Sequence, residues 1–453
     1  MPRLLIVSPN FPPVNTPDMQ RVRMSLPHFV DAGWEVVVLA ADDREPLAPR
    51  EPELLETIPA AVRVVRASVW SRRWTRWFGL NNLGLRALVA TYRAGRRIME
   101  ELSFDLVYFS STQVILFPLG RLWQAEFHVP YVIDLQDPWL NDFYRQPGAP
   151  KPPGGWKYAF AHGSARLFEG WTLVRAAHVI SVSQPYLDAI ARRYPWFNPT
   201  RGSVLTFGSP DADFAIARKR HAREKPVTPP VSALKIAYAG RLGPDMLEAL
   251  EHLFRAVAVV SREGRAVELY FHGTSYAPAG QGRATTTIMA ERCGIGAQVH
   301  EFPARISYLD SLRILLETDA ALLLGSTDPS YSPSKLYPTL LAGKPILAVA
   351  PSGTVLADKV AELGGAAMAT FTGPLSADPD CADRIAALLR ILHGDRTRFP
   401  APPANLELVR TRYSAAAVAV RQLEVFTGVI MRNKQQFAPP ALRGPDATGF
   451  QRE

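Results

Sequence analysis

Short apolar runs of strand character recur along this chain with helical stretches between them, and that alternation restricts the fold more than any other feature. In the first half the runs are residues 4–8, 35–40, 106–110, 131–134 and 179–183. Strands separated by helices are joined as parallel βαβ units, with helices on both faces of the sheet. Residues 215–233 then change character, first basic and afterwards rich in Pro, which suits an interdomain linker or a long surface loop. The alternation restarts with strands at 235–239, 267–271, 299–302, 320–324 and 345–350, separated by helices near 247–262, 285–293, 308–318 and 332–342. The expected fold class is therefore α/β, with two doubly wound, Rossmann-like domains facing a central cleft. Residues 1–214 form one, 215–233 the linker and 234–404 the other, while 405–453 supply a terminal helix and a mobile polar tail. Ligands in such sheets bind beyond the carboxyl ends of the strands.

Composition narrows the function classes. With 47% hydrophobic and 21% charged residues the chain is an ordinary globular one. Cys293 and Cys381 are its two cysteines, too few for a disulfide framework or a C-x-x-C metal site, and a reducing cytoplasm is the expected setting. The opening MPRLLIVSPNFPP reads as a first core strand rather than a signal peptide, and no apolar window reaches the roughly 18 residues needed to cross a bilayer. The formal net charge of +9 favours an anionic partner. No zinc-finger, RNP or GxGxxG pattern points to nucleic acid or to a dinucleotide, so no nucleic acid is expected among the partners.

Residues 332–350, SPSKLYPTLLAGKPILAVA, join a helix to a buried strand. The Ser332, Pro333, Ser334 cluster is a helix-start signal, Leu336, Leu340 and Leu341 give a buried face, and Gly343 before Pro345 ends the helix. Backbone N–H groups at that start, beside Lys335, suit a diphosphate, although an αβ unit without a ligand has the same pattern. Gly240 closes a strand where backbone approaches a ligand or merely turns. Arg241 beside it either pairs with phosphate or is solvated.

In order, these segments resemble glycosyltransferases of the GT-B fold, in particular the large retaining family 4 that includes bacterial cell-surface polysaccharide enzymes. The motifs are IVSPNFPP at 6–13 followed by Arg21 and Arg23, GWEVVVLA at 33–40, HVPYVIDLQDPW at 128–139, ISVSQPYLDAI at 180–190, YAGRL at 238–242, His272-Gly273, TDAALLLG at 318–325 and SPSKLYPTLLAGKP. The resemblance implies a UDP- or GDP-linked sugar donor, bound as substrate with no cofactor and no metal, in the carboxyl-terminal lobe. It implies a glycan or polyprenyl-phosphate-linked acceptor in the amino-terminal lobe. Gly240, Arg241, His272, Gly273, Ser334, Lys335 and Asp328 would then bind the donor, Arg241 and Lys335 stabilising the leaving diphosphate. Asp134 and Asp137 would orient the acceptor hydroxyl or the transferring sugar, unless Asp137 caps the next element and Asp134 bonds backbone amides, and Asn15, Thr16, Arg21 and Arg23 would form the acceptor loop. His272 also suits a structural role.

The chain departs from that family at several points. The usual pair of glutamates is replaced by Ser330 and Pro338, and the basic residue expected after GRL is missing from 243–247. Asp328 is either a replacement carboxylate or a solvated loop residue, and Pro338 implies a helix that starts late or kinks. A nucleotide-sugar epimerase and a non-catalytic nucleotide-sugar-binding scaffold therefore stand as alternatives. The stretch 69–97 interleaves Trp70, Trp74, Trp77 and Phe78 with arginines and continues as a basic helix. It would either dock on lipid headgroups at the inner membrane face or pack into the first lobe.

Overall fold

The computed structural model describes residues 1–42, 44, 46, 48–75, 77, 82–140, 156–228, 232–275, 282–328, 331, 334–395, 399 and 406–437. The first lobe runs β1 (Arg3–Val7), α1 (Met19–Asp31), β2 (Glu35–Asp42), β3 (Arg63–Ser68), α2 (Arg72–Thr75), α3 (Leu83–Glu101), β4 (Leu106–Ser110), α4 (Pro118–Phe127), β5 (Tyr131–Leu135), α5 (Trp156–Leu173), β6 (His178–Ser181), α6 (Gln184–Arg193) and β7 (Gly202–Val204). The second begins with α7 (Asp211–His221) and continues β8 (Leu234–Ala239), α8 (Leu247–Arg262), β9 (Val267–His272), α9 (Thr286–Arg292), β10 (Val299–Phe302), α10 (Tyr308–Glu317), β11 (Ala320–Leu324) and α11 (Leu336–Leu341). After these come β12 (Ile346–Pro351), α12 (Val355–Leu363), β13 (Ala367–Phe371), α13 (Asp380–Gly394), α14 (Leu406–Tyr413) and α15 (Ala415–Phe437).

The strands form two parallel sheets, ordered β3-β2-β1-β4-β5-β6-β7 and β10-β9-β8-β11-β12-β13. Central strands such as β4 and β11 are buried at every position, which is why they read as continuous apolar runs. On α8, Leu250, Leu253, Phe254, Val257 and Val260 recur at helical spacing and bury against the second sheet. Chain order reverses between β1 and β4 and again between β8 and β11, so each sheet has a crevice there, beyond its strand ends. Asp137, just past β5, feels the charge of Arg241, just past β8, so the two strand-end regions come within electrostatic reach of each other across the cleft between the lobes.

Two expectations about organisation change. The basic start of the supposed linker is helical: α7 carries Asp211 and Asp213 in its first turn and Arg218 to His221 in its last, which matches the helix dipole. Its Phe214 and Ala217 bury among Leu312, Leu315, Leu336 and Leu340 of the second lobe. The terminal helix, for its part, returns to the first lobe. There Phe426, Val429 and Ile430 of α15 join Phe29, Trp34 and Tyr108 in one core cluster. The chain crosses between lobes at two adjacent points, where the Ser209 N–H donates to Tyr413 O at 2.6 Å and the Ala415 N–H to Ser209 O at 3.2 Å. The polar tail expected to be mobile, 438–453, lies outside the described residues.

A buried polar junction ties the lobes together. Arg23 on α1, 1% exposed, donates from both terminal nitrogens to the Asp213 carboxylate of α7 at 2.8 and 2.6 Å, and to Gln20 and Thr57. The Tyr308 hydroxyl at the start of α10 donates to the same carboxylate at 3.0 Å. Glu51 of the first lobe accepts the Tyr308 and Leu309 backbone N–H groups at 3.0 and 3.1 Å, so one lobe caps a helix of the other. Removing one member strands a buried charge, so Arg23→Ala should lower unfolding free energy by about 3 to 5 kcal/mol. Arg63→Ala, which breaks an exposed pair with Glu101, should change it by less than about 1 kcal/mol. Urea denaturation of both variants checks this, and equal losses would mean that the junction does not bind the lobes.

Candidate active site

Gly240 closes β8 with φ of +137°, and its N–H donates to His272 O at 2.7 Å. A side chain here would collide with Lys335, since a Cβ would lie 2.2 Å from Lys335 Cε and 2.4 Å from Nζ. The glycine therefore makes room for the lysine at the mouth of the β8/β11 crevice. Lys335 Nζ donates to the Tyr238 hydroxyl at 2.5 Å and to Arg241 O at 3.2 Å, and lies 4.2 Å from the centre of the Tyr238 ring. Burial of the ammonium, helped by the nearby Arg241 charge and opposed by Asp245, brings its pKa down to about 7. Lys335 therefore changes charge near neutral pH.

Arg241 has a partner the sequence reading did not anticipate. Its Nη1 and Nη2 donate to Oδ1 and Oδ2 of Asp245 at 2.8 and 2.9 Å. The pair folds over Gly243, where a Cβ would lie 1.9 Å from Arg241 Nη1. Asp245 Oδ2 also accepts from Ser326 Oγ at 2.7 Å, and its backbone carbonyl accepts the Thr327 N–H at 2.8 Å, joining the loops after β8 and β11. Burial alone would raise the Asp245 pKa, but the Arg241 and Ser326 hydrogen bonds outweigh it, and the carboxyl stays below its ordinary range.

The rest of the expected donor set is placed less directly. Ser334 is exposed and Lys335 stands at the helix start, while Ser330, Ser332 and Pro333 lie outside the described residues. α11 is six residues long. It begins only at Leu336, later than the Ser332, Pro333, Ser334 cluster suggests, with Pro338 as its third residue, where the N–H has no partner within the helix. His272 is 3% exposed and stacked face to face on Phe302, with ring centres 4.7 Å apart and planes 8° apart. Burial, against a weaker pull from Glu317, lowers its pKa to about 4, so it is a neutral ring packed below the cleft. Gly273 turns the chain at φ +68°.

In the first lobe the structure divides the two aspartates. Asp134 is fully buried. It accepts from Tyr108 and Ser110 hydroxyls at 2.8 and 2.7 Å and pairs with Arg21 Nε at 3.0 Å, so it cannot orient a substrate. It is still in β5, whereas Asp137 lies past the strand end, exposed and on the cleft. There the crowding of surrounding protein and the Asp18 charge raise the Asp137 pKa, opposed by Arg241 from the other lobe.

The expected acceptor loop is also corrected. Arg21 is buried and donates to Leu205 O and Thr206 O, and Arg23 is consumed in the interlobe junction. Asn15 is buried, with its N–H on Pro49 O and its side-chain oxygen near Gln20. Thr16 is half-buried. Both arginines sit on the inner face of α1, which is why neither reaches the cleft.

Near Asp137 a polar cluster forms from Asp18, Ser111, Thr112 and Gln136, of which Thr112 alone is not buried. Asp18 Oδ2 accepts from Ser111 Oγ at 2.8 Å and the Thr112 N–H at 3.3 Å, and Gln136 donates to Asp18 O at 2.8 Å. Tyr186 on α6 adds a phenol whose pKa burial raises, with Asp137, Asp328 and Tyr331 reinforcing the shift. Asp137 of one lobe and Asp328 of the other thus both act electrostatically on one side chain.

Away from the cleft, Trp70, Trp74 and Trp77 are 54%, 77% and 78% exposed, so much of their surface faces solvent. Leu85 and Val89 on α3, Leu122 on α4, and Leu167 and Trp171 on α5 are exposed as well. Phe78 lies outside the described residues. No helix among the described residues is long and apolar enough to cross a membrane.

Comparison with known proteins agrees with this layout. Residues 20–208 match the family model of the glycosyl transferase 4-like domain. Among solved structures, the sucrose-phosphate synthase of Thermosynechococcus elongatus superposes with a TM-score of 0.62 at 16% identity, covering 95% of this chain and 100% of its own. The trehalose 6-phosphate synthase of Burkholderia multivorans gives 0.61 at 13%, covering 97% and 99%. HepE of Anabaena, in a complex with UDP-glucose, gives 0.60 at 15%, covering 94% and 99%. These likenesses show the GT-B fold over nearly the whole chain. No curated protein matches the sequence.

A side chain at position 240 must displace Lys335 and occupy a backbone conformation that L residues avoid. Gly240→Ala should therefore cost about 1 to 3 kcal/mol, whereas Gly394→Ala, with open space around it at a helix end, should be neutral or slightly stabilising. Thermal melting of the two variants gives the comparison, and identical midpoints would remove the packing argument.

Proposed function

We propose that this chain, a GT-B glycosyltransferase with a family 4-like domain in its first lobe, moves a sugar from a nucleoside diphosphate to a glycan or lipid-linked glycan acceptor. The observation that carries the reading is Lys335 lodged against Gly240 at the β8/β11 crevice, beside Arg241, whose charge reaches Asp137 of the other lobe. The donor diphosphate would lie along Lys335 and Arg241, where positive charge stabilises the leaving group as the glycosidic bond breaks. The sugar and the acceptor hydroxyl would lie toward Asp137, Thr112 and Tyr186. A UDP-linked donor is supported by the HepE complex with UDP-glucose. Retention of configuration and independence of metal belong to this proposal through the family resemblance, as does a place in cell-surface polysaccharide synthesis.

The replaced glutamate at Pro338 and the engaged Arg241 favour one other reading, a protein that binds nucleotide sugar without turning it over. Calorimetric titration with UDP, GDP and their sugars, with and without magnesium, tests the site. A product assay with acceptor then separates enzyme from binder. Lys335→Ala should weaken nucleotide binding by about 1.5 to 3 kcal/mol, the range for a hydrogen bond to a charged group; unaltered affinity would refute the placement. A diphosphate favours the protonated lysine, so affinity should fall as pH rises above about 7. Lys335→Met should flatten that slope.

The exposed tryptophans, with Arg72 and Arg73 between them, form an aromatic and basic surface suited to anionic headgroups. We place this surface on the inner face of the membrane, where a polyprenyl-phosphate acceptor would be reached. Replacing Trp74 and Trp77 with Ser should reduce sedimentation with phosphatidylglycerol vesicles, and undiminished binding by the folded variant would remove the membrane role.

A further inference from the structure

We propose that Asp245 sets the charge selectivity of the donor site, because its carboxylate holds the Arg241 fork that a diphosphate must take. The inference rests on the donor-site reading above and adds a residue to it. Both terminal nitrogens of Arg241 are on Asp245, at 2.8 and 2.9 Å, in the bidentate geometry that guanidinium offers to carboxylate and phosphate alike. A phosphate using the same edge has to displace the carboxylate, and in doing so brings two like charges together.

Asp245 is well placed to compete. It lies four residues after Arg241, so its local concentration at the fork is high whatever the ligand concentration. Ser326 Oγ and the Thr327 N–H fix its side chain and backbone from the β11 loop. The absence of side-chain bulk at Gly243 lets the pair close. The neighbouring sequence, Gly243, Pro244, Met246 and Leu247, supplies no second cation to offset the carboxylate. Lys335 is then the nearby cation left to attract the diphosphate, and two of its three N–H groups are already engaged by Tyr238 and the Arg241 carbonyl. The Arg241 and Asp245 charges cancel, which leaves these three side chains at most the one positive charge of Lys335. The site should therefore discriminate against bare anions and depend on the sugar and base for affinity.

The competition has a graded signature, since the penalty scales with ligand charge. In Asp245→Asn the fork is held by a neutral amide, and UDP binding should tighten about tenfold, the equivalent of one charged hydrogen bond. UMP binding should tighten less. Ser326→Ala, which loosens the carboxylate while keeping its charge, should shift UDP affinity the same way by a smaller factor. It carries the test if Asp245→Asn does not fold. The experiment is calorimetric titration of wild type and both variants with UDP and UMP, repeated with GDP and GMP, after melting curves establish folding. A purely structural role for Asp245 predicts weaker binding of every nucleotide on substitution. Weaker or unchanged UDP affinity in Asp245→Asn, or an equal shift for UDP and UMP, would overturn the proposal while leaving the donor site standing. Failure of wild type and variants to bind any of the four nucleotides would overturn both.

Discussion

The geometry of the cleft depends on a charge buried between the lobes. Arg23 comes from the first lobe and Asp213 from the helix that opens the second, and both are almost inaccessible to water. Burying two such ions is expensive, and their attraction offsets the cost only when geometry and remaining hydrogen bonds are satisfied. Here Gln20, Thr57 and Tyr308 complete the set. Small relative shifts of the lobes would leave donors and acceptors unmatched in a low dielectric, so the junction specifies one arrangement. Glu51 reinforces it by capping α10 across the boundary. With the lobes so held, Asp137 sits within electrostatic reach of Arg241, and Tyr186 within reach of Asp328.

Much of the fold was legible because strands buried on both faces advertise themselves as unbroken apolar runs. The expected strands at 106–110, 299–302 and 320–324 coincide with those observed, as does the helix at 247–262. The strands not anticipated are edges. β3, RVVRAS, pairs with β2 alone and has polar residues facing solvent, β7 is three residues long, and β13 ends the second sheet. Their signals are too short or too polar to stand out from loop. The linker differs for another reason: a run of basic residues reads as linker or loop, whereas it is the charged last turn of a helix that buries only Phe214 and Ala217 of its apolar residues.

The site was less legible, and the reason lies in how burial and periodicity act on polar residues. Asp134 and Asp137 are three residues apart, yet one ends inside the sheet and the other on the cleft, because the strand stops between them. Arg21 and Arg23 follow a conspicuous Pro-rich motif but belong to the buried face of α1. An arginine in a sequence carries no mark of whether its partner is a ligand or a carboxylate nearly two hundred residues away. At Gly240 the sequence points to a close approach of backbone to a ligand, whereas the approach the structure shows there is to the Lys335 side chain. Asp245 was noticed only as a position lacking a cation. The i, i+4 spacing from Arg241 was the available clue.

Charge balance in the donor crevice follows from these placements. A site for a diphosphate is usually rich in uncompensated donors, so a carboxylate clamped on its arginine looks like a defect until its effect on selectivity is considered. Strong attraction to phosphate alone stabilises free nucleotide as well as donor, and so favours product retention over turnover. Weakening that attraction shifts the binding free energy onto the sugar, the base and the opposite lobe, where Asp137 and Tyr186 stand. The same weakening leaves Lys335, with a pKa of about 7, as the group whose charge responds to an arriving diphosphate. Its protonation is then coupled to occupancy, since a dianionic neighbour stabilises the ammonium that burial disfavours. On the proposed placement of the donor, a chain with Ser330 and Pro338 in place of glutamates would keep a leaving-group site of this kind only if the arginine fork is released when the whole donor, rather than phosphate alone, occupies the crevice.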